Sequence, residues 1–122
     1  MTRYAVLLPG DEDYWENLPA EGRDEVYALH EKFSKTLEER GHKVVGGAEL
    51  THSKTARTLR GSADGLVVTD GPYAETVEQL TGFYLIDSED LDDLVEVTKL
   101  LADPAHGGIE VRACTGGGGD AS

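Results

Sequence analysis

The chain has 122 residues, with 24 acidic against 11 basic side chains and a net charge of −13. This length suits one ordinary domain, and the 39% of hydrophobic residues is enough for a core. Because Lys and Arg at phosphates supply most of the affinity for nucleic acid, so acidic a chain is not expected to bind nucleic acid directly.

The sequence offers no feature of a membrane or secreted protein. No apolar run approaches the roughly 20 residues that a membrane helix needs, and the N-terminus lacks the pattern of a signal peptide. The single cysteine, Cys114, cannot form an internal disulfide, which fits a reducing compartment. We therefore expect a cytoplasmic protein with no membrane association.

The first predicted elements are a strand and a long helix. Residues 3–8 are apolar almost without interruption, which predicts a strand buried on both faces, ended by Pro9-Gly10 and followed by an acidic loop over residues 11–15. A helix is predicted from Pro19, and Gly41 suits a left-handed residue at its end. Its apolar face consists of Val26, Leu29, Phe33 and Leu37.

The middle of the chain predicts four further strands. Residues 42–50 form one, in which Gly46-Gly47 suggests a bulge. Residues 54–60 and 66–69 form an exposed hairpin around a Gly-rich turn, and residues 82–86 form a buried strand. Residues 70–79 between them are predicted as a loop with at most one helical turn.

The last part predicts a helix, a strand and a tail. Ser88 or Asp87 would cap the helix, and Asp103-Pro104 would end it. The strand covers residues 109–112, so the domain spans residues 1–114 and the Gly-rich tail of residues 115–122 should be disordered. The predicted core stripe of this helix is Leu91, Leu94, Val95, Thr98 and Leu101.

Without the hairpin, this order is the βαββαβ pattern of a ferredoxin-like α+β fold, with both helices on one face of an antiparallel sheet. The first strand has no polar side, since Tyr4, Val6 and Leu8 alternate with Ala5 and Leu7. The face without helices therefore needs a cover, and a second copy of the chain is the simplest one. We expect a homodimer.

Residues 70–86, read as Asp-Gly-Pro-Tyr-Ala-Glu-Thr-Val-Glu-Gln-Leu-Thr-Gly-Phe-Tyr-Leu-Ile, resemble the signature of the YCII-related family in its Asp-Gly-Pro-Phe (DGPF) branch. Gly10-Asp11-Glu12 after the first strand and residues 108–112 extend the resemblance up to about Cys114. Tyr73 stands where Phe is usual, and Thr81 where Gly is common. The resemblance implies a ferredoxin-like fold that pairs into a dimeric α+β barrel, and kinship with barrel enzymes that often need no cofactor.

His30 is the main catalytic candidate, because an imidazole held by a carboxylate can exchange a proton near neutral pH. The resemblance implies that its partner is an aspartate after the first strand, a position that Asp11 occupies here. The alternative is that His30 only packs beside the apolar stripe. Asp70 and Tyr73 are candidate substrate-binding residues on a loop over the barrel mouth, although a structural role in its own turn is the favoured interpretation of Asp70.

No metal site and no cofactor are predicted, because the four histidines are scattered at no ligand spacing and no Gly-rich phosphate loop follows a strand. Two hypotheses stay open. The first is a cofactor-independent enzyme that performs proton-transfer chemistry of the isomerase, lyase or dehalogenase kind on a small cyclic metabolite. The second is a non-catalytic module that binds a ligand or a protein, associated with sigma-factor-dependent transcription, as fusions among family members imply.

Overall fold

The computed structural model describes residues 1–102 and 108–116. The predicted helix end at Asp103-Pro104 and residues 117–122 of the predicted tail lie outside these ranges. Within them, no helix is both long enough and apolar enough to cross a lipid bilayer.

Nine helices and strands are described. Two single 3₁₀ turns, Ser53–Thr55 and Lys99–Leu101, lie between them. In chain order the elements are β1 (Thr2–Asp11), α1 (Glu12–Asn17), α2 (Ala20–Glu39), β2 (Lys43–Glu49), β3 (Arg57–Ser62), β4 (Gly65–Asp70), β5 (Glu78–Ser88), α3 (Leu91–Thr98) and β6 (Glu110–Ala113).

Four strands form one antiparallel sheet in the order β2-β5-β1-β6, and β3 with β4 forms a separate two-stranded hairpin. With the hairpin set aside, this is the strand order of a ferredoxin-like fold, as the sequence predicted. Both long central strands, β1 and β5, lie inside the sheet, so their residues face either the helices or the opposite side.

The core lies between the helices and one face of the sheet. Register pairs Tyr4 with Ile86 and Val6 with Tyr84, so these four side chains share that face. Phe33 and Leu37 of α2 pack against it and are fully buried. The buried apolar cluster consists of Val6, Phe33, Leu37, Ile86, Leu94 and Val97.

Two details of the predicted helix faces were wrong. Leu29 is 45% exposed, and His30 takes its place in the stripe that α2 turns toward the sheet. On α3, Leu91 and Val95 are exposed, whereas Val97 is buried. The other predicted positions of both stripes are buried or partly buried, and packing against the sheet decides which neighbour of an apolar position is covered.

The termini of several elements also differ from prediction. β1 continues through Pro9-Gly10 with a register shift, and α1 replaces the predicted acidic loop. Asp11 supplies the reason, since its carboxylate accepts the N–H groups of Asp13 and Tyr14 and so caps α1. Asp90, not Ser88 or Asp87, caps α3.

β2 contains the predicted bulge, but the register shifts between Val44 and Gly46, directly before the glycine pair. Gly47 has a φ of +146°, and a Cβ there would lie 2.6 Å from the carbonyl oxygen of Phe83. Only glycine fits so close an approach of two backbones. Gly41 ends α2 with a φ of +85°, again as predicted.

The orientation of α2 predicts how two neighbouring substitutions differ in stability. Phe33→Ala removes a fully buried ring and should lower the free energy of unfolding by about 3–5 kcal/mol. Leu29→Ala, the matched control on the exposed side, should cost less than about 1 kcal/mol. Urea denaturation followed by circular dichroism measures both values, and similar losses would contradict this orientation of α2.

Candidate functional site

A partly open cavity of about 490 Å³ lies between α2, α1 and the helix-covered side of the sheet. This volume is in the range of small-molecule sites. Aliphatic and aromatic side chains form much of its wall, and two histidines and several carboxylates interrupt them. The cavity belongs to one chain. The sequence had instead suggested a ligand at the mouth of a barrel formed by two chains, but α2 carries His30 on the helix-covered side of the sheet.

His30 points from α2 into this cavity region and contacts Tyr84 of β5. Its Nδ1 lies 2.7 Å from the Tyr84 hydroxyl oxygen, and the two rings are stacked with centroids 5.8 Å apart. Burial lowers the pKa of His30 below 6.5, and the negative charge of Glu49 opposes this effect. The ring is therefore neutral at pH 7, which is the form that can accept a proton.

Tyr84 connects His30 to a second hydroxyl. Burial raises the pKa of Tyr84, and a hydrogen bond from Ser34 acts in the opposite direction. When Ser34 donates to the Tyr84 oxygen, the Tyr84 hydroxyl can donate to Nδ1 of His30. Because hydroxyl hydrogens rotate, the Tyr84 oxygen can instead accept a hydrogen bond from Nδ1–H, so both neutral tautomers of His30 can be stabilised.

Asp11 lies on the wall of the same cavity as His30. Its Oδ1 accepts the backbone N–H of Asp13 at 3.0 Å and that of Tyr14 at 3.2 Å. Among the described residues, the His30 ring is hydrogen-bonded to Tyr84 and not to Asp11. The cavity thus contains both predicted catalytic residues, each with a different local partner.

Sequence reasoning missed Glu49 and Tyr27. Both line the cavity, and the Tyr27 hydroxyl lies 3.3 Å and 3.4 Å from the two carboxylate oxygens of Glu49. Burial raises the pKa of Tyr27, and Glu49 raises it further. One signal was available, since Tyr27 precedes His30 by three residues and therefore shares its side of the helix.

The rim next to α1 holds a second polar group. The Glu12 carboxylate is nearly buried and accepts both the backbone N–H and the hydroxyl of Ser53. Nδ1 of His52 accepts the backbone N–H of Lys54, and Nε2 lies 3.3 Å from Asp13. These bonds hold the segment before β3 against the cavity rim.

Asp13, Glu16 and His52 have ligand atoms within 4.8 Å of one another, a grouping that could hold a metal ion. The hydrogen bonds oppose this role. Nδ1 of His52 accepts a backbone N–H, so the proton of the neutral ring is on Nε2, the atom that would have to bind the metal. The two carboxylates are also largely exposed to water.

Asp70 and Tyr73 do not line the cavity of their own chain. Asp70 ends β4, and its carboxylate lies 3.9 Å from the Arg57 guanidinium. Tyr73 is 76% exposed, with the Arg60 guanidinium 4.8 Å above its ring. Within one chain, the two predicted substrate-binding residues therefore lie apart from His30.

A serine, a histidine and an aspartate also meet at the opposite end of α2. His42 places Nδ1 2.8 Å from the Ser88 hydroxyl and Nε2 2.7 Å from Asp93. Ser88 is 1% exposed and bonds to both the N–H and the carbonyl of Asp90, so its oxygen is not available to a substrate. These three side chains join the end of α2 to the start of α3. The hydrogen bond with His42 lowers the pKa of Asp93.

The charge of Glu49 gives a testable shift in the titration of His30. Glu49→Gln removes a negative charge that favours the imidazolium, so the pKa of His30, already below 6.5 through burial, should fall further. Glu38→Gln, at the exposed far end of α2, should leave it unchanged. Titration of the imidazole proton signals by NMR measures both, and a rise in Glu49→Gln would refute this electrostatic coupling.

Comparison with known proteins supports the family that the sequence resembles. The family model of the YCII-related domain matches residues 2–115. An uncharacterized protein of Rhizobium meliloti (strain 1021) is 40% identical over 111 residues, covering 89% of each chain. On these matches, together with its ferredoxin-like sheet, this chain belongs to the YCII-related family.

Proposed function

We propose that this protein is a cofactor-independent enzyme that moves a proton on a small cyclic metabolite bound in the cavity. The observation that carries the proposal is the His30 ring, which is half-buried, stacked on Tyr84 and bonded to its hydroxyl at the wall of a cavity of about 490 Å³. A neutral histidine in such a place has the protonation state of a general base at pH 7.

The proposed reaction begins at a carbon next to a carbonyl group of the substrate. His30 accepts the proton through Nε2 while Nδ1–H donates to the Tyr84 oxygen, and the electrons of the broken C–H bond move to the carbonyl oxygen. The substrate has a C=C bond next to that carbon, so the imidazolium returns its proton to the far end of this bond while the C=O re-forms and the C=C moves into conjugation, which completes an isomerisation. The Glu49 carboxylate stabilises the imidazolium, because an opposite charge favours the charged form.

Tyr84 takes the orienting role that the sequence assigned to Asp11, since its hydroxyl is the group bonded to the ring. Asp11 instead offers the cavity a carboxylate that α1 holds in a fixed position. We assign it the binding of a hydroxyl or amino group on the substrate. The apolar wall, including Trp15, Leu18 and Val26, suits the hydrocarbon part of a ring.

The alternative, a non-catalytic binding module, has its own support in the exposed apolar side chains of the hairpin β3–β4. Hydrogen exchange separates the two functions. Cyclic enones and unsaturated lactones are incubated with the protein in D₂O, and deuterium incorporation at carbon is followed by NMR.

Wild-type protein should accelerate exchange into at least one such compound, and His30→Ala should reduce this acceleration by about 10²–10⁴-fold. His52→Ala is the matched control, because His52 lines the same cavity but bonds to the rim. Exchange by His30→Ala at the wild-type rate would refute the base, and binding without any exchange would favour the module.

We propose further that the working unit is a homodimer formed through the face of the sheet that lacks α2 and α3. Register places Ala5 opposite Leu85 and Leu7 opposite Phe83, so this face has an apolar centre that is not part of the buried core cluster. The Arg3–Asp87 ion pair, 2.9 Å long, borders it. Pairing two such faces would remove apolar surface from water.

This proposal predicts the effect of one charge on assembly. Leu85→Asp should convert the dimer to monomer at micromolar concentration, because a carboxylate would be buried without a partner. Leu29→Asp, on the exposed side of α2, should leave the dimer intact. Sedimentation velocity distinguishes the species, and a wild-type monomer would refute the homodimer.

A further inference from the structure

The helix α1 forms one wall of the cavity but is too short to hold its own position. It has only six residues, and isolated helices shorter than about 12 residues are marginal in water. Trp15 in its last turn and Leu18 just after it both line the cavity. Contacts with the rest of the chain therefore decide where the indole of Trp15 lies.

Arg23 of α2 binds the C-terminal end of α1. Its Nη2 donates to the carbonyl oxygen of Trp15 at 3.2 Å and to that of Glu16 at 2.9 Å. Carbonyl groups in the last turn of a helix carry partial negative charge, and α1 has no basic residue of its own there. The guanidinium of Arg23 supplies the favourable charge that α1 lacks.

The same guanidinium lies over the Trp15 ring. Its Cζ is 5.4 Å from the ring centroid, within the range of a cation–π interaction. Tyr27, one turn later in α2, meets the indole in a T-shaped arrangement with centroids 5.6 Å apart. Gly22 permits a close approach of the two segments, because a Cβ there would lie 2.8 Å from Cγ of Leu18. The first two turns of α2 thus support the indole and the residue that follows α1.

The burial of Arg23 is partly unfavourable. Its Nε is shielded from water and has no hydrogen-bond partner in the part of the chain that the structure describes. An unpaired buried donor destabilises a fold, and a methionine would occupy similar space without one. Stability alone therefore does not explain an arginine at this position, whereas its contacts with Trp15 do.

We infer that Arg23 is a positioning residue, which holds the Trp15 indole as the wall against which the substrate ring packs. Its part in substrate binding rests on the function proposed above. Among the described residues, Arg23 is not part of the cavity wall, so it acts through Trp15. Its side chain bonds to α1, whereas His30 bonds to Tyr84. Loss of Arg23 should then weaken substrate binding and spare the proton transfer.

The sole tryptophan reports this contact directly, because all indole emission comes from Trp15. Arg23→Met keeps an unbranched side chain but removes the cation and its donors. Acrylamide should therefore quench Trp15 emission with a constant at least about twofold larger than in the wild type. Arg40→Met is the matched control, because it makes the same change at the far end of α2, where Arg40 pairs with Asp93. The control should quench like the wild type.

Circular dichroism shows whether these variants fold, and an unchanged quenching constant in folded Arg23→Met would refute the contact. Arg23→Lys is the second variant, to be used if Arg23→Met does not fold. Lysine keeps the charge but lacks the planar group that reaches both carbonyls and lies over the ring. Its quenching constant should exceed that of the wild type, and equality would contradict the inferred role of the guanidinium.

Kinetics separate binding from chemistry. For the cyclic enone into which the wild type introduces deuterium fastest, Arg23→Met should raise KM by about tenfold and change kcat by less than about twofold. In a Trp15→Leu background the same substitution should raise KM by less than about twofold, because the indole on which Arg23 acts is already absent. A fall in kcat at unchanged KM, or an additive effect in the double variant, would refute the positioning role.

The proposed function and the role of Arg23 can fail separately. If the wild type catalyses no exchange into any enone or lactone, the proposed function fails together with the substrate-binding part of this inference, and quenching still decides whether Arg23 holds Trp15. If the wild type catalyses exchange, but Arg23→Met raises neither the quenching constant nor KM, the function stands and the positioning role is refuted.

Discussion

The pairing of β1 with β5 is the interaction on which the rest of the molecule depends. It aligns ten residues of β1 with β5 and shifts register once, after Leu8. Because neighbouring residues of a strand face opposite ways, this register alone decides that Val6 and Ile86 meet the helices while Leu7 and Leu85 face away. A slip by one residue would exchange these two faces and remove Tyr84 from His30.

The candidate site depends on this arrangement, because the side of the sheet that the helices cover is the less polar side. His30 stands in a helix stripe otherwise occupied by apolar side chains, so burial keeps its ring neutral. The Tyr84 hydroxyl then satisfies the buried nitrogen, which would otherwise be costly to place there. Glu49, at the end of β2, lies near enough to act on the ring by charge. The chemistry we propose needs only these groups.

The two polar clusters at the ends of α2 contain similar residue types but differ in access. His42 is 5% exposed and lies between Ser88 and Asp93, and that serine is already bonded to the backbone of Asp90. His30, in contrast, borders a cavity that can admit a ligand. The same imidazole group is thus structural at one end of the helix and available for chemistry at the other.

The order of the six strands with α2 and α3, the bulge in β2 and the left-handed end at Gly41 were all readable from sequence, because they depend on local patterns and on the conformational freedom of glycine. His30 could be selected as a candidate, but its partner could not. The sequence pointed to Asp11 after the first strand, whereas the ring bonds to Tyr84, 54 positions away. A contact across such a distance in the chain depends on strand register.

The tertiary structure alone decided which side of each helix is buried and where the cavity lies. The apolar periodicity of α2 allowed Leu29 or His30 in the core stripe, and packing against β5 selected His30. Composition likewise predicted an exposed hairpin, but only the register shows that Leu59, Leu66 and Val68 share one face. Local sequence determines which elements form, whereas register and packing determine which side chains meet, because those contacts join residues far apart in the chain.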